Sequence, residues 1–192
     1  MVFLRQLLGL NQHSMLAPLF TETSIMPVRF RQITLALGFL KYLMGLTPGQ
    51  YAQQALYDSI YLAETGRSSW VRDLQLVLLD LPTPLTLPDL RTTTTTGIDD
   101  TIKAVLEFMD SWLKAAIDDS PKLYLLHGRK VPDKDGGLPR HKTLHFQHYL
   151  SVNNADHRKF VTHLLLSCHL LLTLFDAAPI YVPALPVEWM IT

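Results

Sequence analysis

The sequence predicts an all-α protein, an irregular multi-helix bundle of about seven to nine helices, and three observations point there. Apolar residues recur at three- and four-residue intervals along most of the chain, and no run alternates with period two. Proline and glycine fall where those periodic runs begin and end. The 192 residues are 48% hydrophobic and only 18% charged, which supplies a buried core and argues against disorder. That charge content is low for a free-standing soluble domain, so the chain is expected to meet a partner or to be a piece of something larger.

The elements follow in order. Residues 1–10 read as a short helix stopped near Gly9 and Asn11. Ser14 is placed to cap a second short helix, Met15 to Thr23, with Pro18 in its first turn, where proline is tolerated. Pro27 suits the start of a longer helix to about Leu46. Ile33, Leu37, Leu40 and Met44 form its apolar stripe, widened by Leu35, Phe39 and Leu43, and Gly38 marks a close approach. Gly49 to Glu64 is a helix with Ala52, Ala55, Leu56, Ser59, Ile60 and Ala63 on one face, ended by Gly66. Ser68 or Ser69 starts the next, whose stripe is Trp70, Leu74, Val77, Leu78 and Leu81, and Pro82 ends it. Ile98 to Ile117 is the cleanest amphipathic helix. Ile102, Val105, Leu106, Met109, Trp112, Leu113 and Ala116 lie on one side, and Lys103, Glu107, Asp110 and Lys114 on the other. Asp99 and Asp100 favour its N-terminus through the helix dipole. After a polar loop at 127–140, Lys142 to Leu150 is predicted as a short helix, and Asn154 caps a last one, Ala155 to Phe175.

Three prolines and the run Thr92 to Thr96 make residues 82–97 the best linker. The expected organisation is an N-terminal helical lobe at 1–81, the linker, a C-terminal lobe at 98–178, and an extended Pro-rich tail at 179–192. The most apolar run, Val161 to Phe175, is shorter than the roughly 20 residues a membrane span needs and contains His163 and His169. The N-terminus is a poor signal peptide. Cys168 is the single cysteine, which excludes an intrachain disulfide and fits a reducing, intracellular compartment, cytoplasmic or nuclear.

Net charge is zero, so whole-molecule attraction to nucleic acid is absent, but the charge is unevenly placed. Residues 122–160 hold eight basic and three acidic residues and five of the eight histidines. There Lys122, Arg129, Lys130, Arg140, Lys142, His145, Arg158 and Lys159 are interleaved with aromatics including Tyr149. That composition can follow a phosphate backbone and stack bases. The competing reading is an ordinary solvated loop and helix face.

Catalytic signatures are missing. The sequence contains no Gly-rich phosphate loop, no HExxH and no nucleophile elbow. Cys168 sits in an apolar run, where a thiol is inert. Asp99–Asp100 and Asp118–Asp119 could suggest a two-metal centre, but both pairs flank a helix and read as solvated terminal charge. His141, His145 and His148 would share one face of a helix, yet no local acid or cysteine completes a zinc set. No catalytic residue, cofactor or metal is assigned.

Several stretches carry a likeness of wording and order. They are Leu4 to Thr23, Met26-Pro-Val-Arg-Phe-Arg, Leu35 to Leu43, Ser120-Pro-Lys-Leu-Tyr-Leu-Leu-His-Gly, His141-Lys-Thr-Leu, His148-Tyr-Leu, His157-Arg-Lys and Leu164-Leu-Leu-Ser. Together they resemble the helical region just downstream of the polymerase domain in fungal non-LTR (LINE-like) retrotransposon reverse transcriptases. The likeness covers most of the chain without a chemically diagnostic motif. It implies a non-catalytic helical extension that helps hold RNA or DNA. It also implies a truncated copy, since Val187-Glu-Trp stands about where that family's Cys/His knuckle begins. The palm aspartates of the family have no counterpart here. Two other readings stay open: a helical protein-interaction module that docks through exposed apolar helices, and a metal-binding helical protein using the histidine stripe.

Overall fold

The computed structural model describes residues 2–10, 14–130, 138 and 143–166. Among them the chain is helical and forms no strand. In order come α1 (Val2–Leu7), α2 (Ala17–Thr23), α3 (Val28–Met44), α4 (Tyr51–Glu64), α5 (Trp70–Leu79) and α6 (Thr95–Asp118). Two 3-10 turns, Pro121–Leu126 and His148–Ser151, precede α7 (Ala155–Leu165). The all-α expectation is therefore met. No helix of the described residues is long and apolar enough to cross a membrane.

The core is built on the pairing of α3 with α6, the most extensive helix contact. Leu37 and Leu40 from α3 and Ile98, Val105 and Leu113 from α6 have no exposed surface. Each contributes about 1.5–3 kcal/mol by leaving water. α4 and α5 pack on each other and on α3, while α2 and the turn Pro121–Leu126 pack on α6. The segments expected as two lobes thus supply residues to one contiguous core. The predicted linker is shorter than expected, because α6 starts at Thr95, inside the threonine run.

Caps set several boundaries. Ser69 accepts a hydrogen bond from the Arg72 amide at the start of α5, and Asn154 accepts from Asp156 and His157 at the start of α7. At the other end of α6, His127 Nε2 lies 3.0 Å from the carbonyls of Ile117 and Ser120. It adds a side-chain partner to carbonyls that the amides of Ser120 and Leu123 also reach, which ties the turn after α6 to the helix end. Ser14 does not cap α2. Leu16 holds that position without a side-chain bond, and the carbonyl of Ser14 is taken by the Arg5 guanidinium instead.

Some faces differ from expectation. In α4, Ala52 and Ala55 are exposed and Gln53 is buried. The Gln53 amide donates to the carbonyl of Leu46 past the end of α3, and this bond compensates its burial. In α5, Val71 takes the core position and Val77 is exposed. In α3, Leu35 and Phe39 do not widen the core stripe but face solvent on the opposite side. The helix expected over Lys142–Leu150 is absent from its described part, 143–150, where only the turn His148–Ser151 is helical. The backbone amides of His145 and Gln147 donate to the carbonyls of Thr21 and Glu22 at the end of α2. Donation to another segment by alternate residues is an extended arrangement, incompatible with a local helix.

Candidate nucleic-acid interface

The residues expected to contact nucleic acid divide into two groups. The first is internal. Gly128 takes a left-handed φ of 61°, a conformation open to glycine, just after the turn Pro121–Leu126. Arg129 then reaches α2. Its Nη2 donates to Glu22 Oε1 at 2.6 Å and its Nη1 to Oε2 at 3.1 Å. Tyr149 Oη donates to the same Oε2 at 2.9 Å. Glu22 is 2% exposed, so a buried carboxylate is held by a two-pronged guanidinium and a phenol. Such charge-assisted bonds offset the cost of burying a charge when the acceptor oxygens are occupied.

Burial raises the Tyr149 phenol well above its ordinary pKa, and the charge of Glu22 and the hydrogen bond to it add to the shift. Tyr149 therefore stays protonated and donates. The main chain of Glu22 takes part as well, since its carbonyl accepts from Gln147. One residue thus ties together α2, the chain after α6 and the segment before α7. Beside this node lies a cavity of about 30 Å³, bordered by Thr21, Lys114, Asp118 and Thr143. That is enough space to hold water. Glu22 went unremarked in the sequence as a site residue. The signal was available, because it is the sole acidic residue among residues 1–46 and it interrupts an apolar helix.

The second group is at the surface. Lys122 is exposed on the turn Pro121–Leu126, and Lys130 is exposed just beyond it. Arg158 and Lys159 on α7 share a cleft of about 560 Å³ with Phe146, Gln6 and Thr23. Phe146 presents about half of its surface. Arg158 is half-buried and donates through Nη1 to the carbonyl of Val152. The stem of Lys159 lies on Gly9, whose carbonyl meets His163 Nε2 at 2.8 Å, so α7 is docked on the end of α1. Asp156 also lines the cleft and lowers its net positive charge.

His145 is half-buried, with Nδ1 3.4 Å from the Gln147 amide nitrogen. Its ring lies edge-on to His148 at 6.4 Å, so these two imidazoles are near each other without a shared helix face. Arg140, Lys142 and His141 lie outside the described residues. No group of three metal-ligating side chains occurs among the described residues.

No protein family, curated relative or solved structure matches the chain.

Proposed function

We propose that the protein is a non-catalytic helical module of the kind found downstream of the polymerase in retrotransposon reverse transcriptases, with a weak capacity to hold RNA or DNA. The supporting observation is the cleft in which Arg158 and Lys159 of α7 lie with the half-exposed Phe146. Cations beside an accessible ring suit a single strand, whose phosphates are neutralised while a base stacks. Arg129 and Tyr149 contribute indirectly, because they hold the segment that carries Phe146 against α2.

Fluorescence anisotropy with labelled single-stranded RNA and DNA tests the proposal. Two or three phosphate contacts predict a log–log salt slope of about −2. The double variant R158A/K159A should abolish the binding while the fold is retained. Absence of binding at low salt by folded protein would refute it.

A second reading, a protein-interaction module, has its own support. An apolar groove of about 270 Å³ runs between the start of α3 and α6, bordered by Phe20, Pro27, Phe30, Leu81, Phe108 and Trp112. Such grooves suit apolar side chains of another chain. Saturating binding of a folded partner with no salt dependence would favour this reading.

A further inference from the structure

Helix α3 is apolar on two opposite sides. One carries Phe30, Ile33, Leu37, Leu40 and Leu43 into the core. The other carries Val28, Leu35, Phe39 and Tyr42, which repeat along the helix by one or two turns and so share a face. Leu35 is 63% exposed, Phe39 54% and Tyr42 61%. A contiguous exposed apolar face of this kind, rimmed by polar residues such as Arg31 and Gln32, is characteristic of an interaction surface.

The patch extends onto the neighbouring helix. Phe39 packs against Trp70 at the start of α5, with ring centroids 6.0 Å apart. The exposed Val77 lies seven residues on, along the same flank of α5. Near the middle of the α3 face stands Gly38. A side chain added there would meet nothing within 4 Å among the described residues. The close approach that this glycine is expected to mark is not made among the described residues. Beside it a depression of about 410 Å³ runs past Tyr42 and Gly45.

We infer that this face of α3 is the seat of a second copy of the same chain, in a two-fold dimer whose α3 helices cross antiparallel at Gly38 and Phe39. The face is complementary to itself. With the axis crossing the helix at Gly38 and Phe39, Gly38 of each copy faces Gly38 of the other and lets the two backbones approach, while the two Phe39 rings meet alongside. Leu35 of each copy meets Tyr42 of the other. The same register sets Arg31 against the C-terminal end of the opposite α3, near Leu46, where helix carbonyls concentrate negative charge. Arg31 is exposed and forms no ion pair among the described residues.

The area is also suitable. Val28, Leu35, Phe39, Tyr42 and Val77 present on the order of 500 Å² of apolar side-chain surface per copy. With the polar rim this approaches the roughly 800 Å² per partner of a stable interface. The inference stands apart from the cleft on α7 and from nucleic-acid binding.

Light scattering on a sizing column, with the full chain between about 1 and 100 µM, tests the inference. The expected result is a shift from the 21.8 kDa monomer toward twice that mass. Leu35→Lys should stay monomeric throughout, with the helical content and melting curve of an intact fold, since Leu35 makes no core contact. In a Cys168→Ser background, Gly38→Cys should form a disulfide-linked dimer on mild oxidation, because a residue at a two-fold axis meets itself. A monomer at every concentration overturns the inference. So does a dimer that persists in Leu35→Lys, and so does a Gly38→Cys chain that cross-links no faster than a chain with a cysteine placed elsewhere on the surface.

Discussion

Replacing Arg129 with methionine isolates the clasp at Glu22. The substitution keeps the length of the side chain and removes both guanidinium bonds, at 2.6 and 3.1 Å. Among the described residues, Glu22, at 2% exposure, is then left with the Tyr149 hydroxyl as its side-chain donor and without an ion-pair partner. Removing one partner of a buried pair costs about 3–5 kcal/mol. The Arg129 side chain is 31% exposed, so water screens part of the attraction and the lower end applies, about 3 kcal/mol. For a chain of this size that corresponds to a fall in Tm of about 6–12 °C. Urea titration with an unchanged slope would assign the loss to the native state. The double variant E22L/R129M removes both charges, so its destabilisation should be smaller than the sum of the single effects by about 1–3 kcal/mol. A Tm for R129M within about 1 °C of the parent, or strict additivity in the cycle, would refute the view that Glu22 is buried only because Arg129 accompanies it.

Other outcomes follow from the same geometry. Tyr149→Phe should cost about 1.5–3 kcal/mol at neutral pH, the range of a hydrogen bond to a charged group, read by thermal melting. Its pH dependence has a definite sign. The folded-state pKa of Tyr149 is raised above the unfolded value near 10, so its contribution is intact below about pH 10 and is lost as the pH rises further. The slope is up to about 1.4 kcal/mol per unit, and Tyr149→Phe should remove that part of the alkaline loss. Gly9→Ala should destabilise by about 1–2 kcal/mol in urea titrations. Gly9 has φ +68°, and a Cβ there would stand 3.0–3.1 Å from the stem of Lys159. His127→Ala should cost about 1 kcal/mol by uncapping α6, with faster hydrogen exchange confined to the last turn and the chain after it. At the surface, the hydrogen bond from Arg91 holds the Glu64 carboxyl below its usual pKa of 4.5. Arg91→Gln should move its NMR titration back up with no change in fold.

The helices were legible because their signals are local. The apolar spacing of α6, the Ser69 and Asn154 caps and the glycines that follow α1 and α4 each act within a few residues of the chain, and the structure keeps them. The misreadings lie where a distant segment competes. The histidine helix gave way because the carbonyls of Thr21 and Glu22, more than a hundred residues earlier, take the amides of His145 and Gln147. Periodicity places Leu35 and Phe39 with the core because it registers apolar character and not which side is covered. The basic segment was found by composition, but composition could not separate Arg129, consumed by Glu22, from Arg158 and Lys159 at the cleft.

The sequence by itself determined that this protein is helical, where most helices begin and end, and which stretch concentrates positive charge, since propensity, capping and periodicity are properties of neighbouring residues. Only the tertiary structure decided that Glu22, Arg129 and Tyr149 form one buried node, and that α3 keeps a second apolar side toward solvent. Those outcomes depend on which surfaces meet in space, and a carboxylate or a leucine carries no local mark of what will cover it.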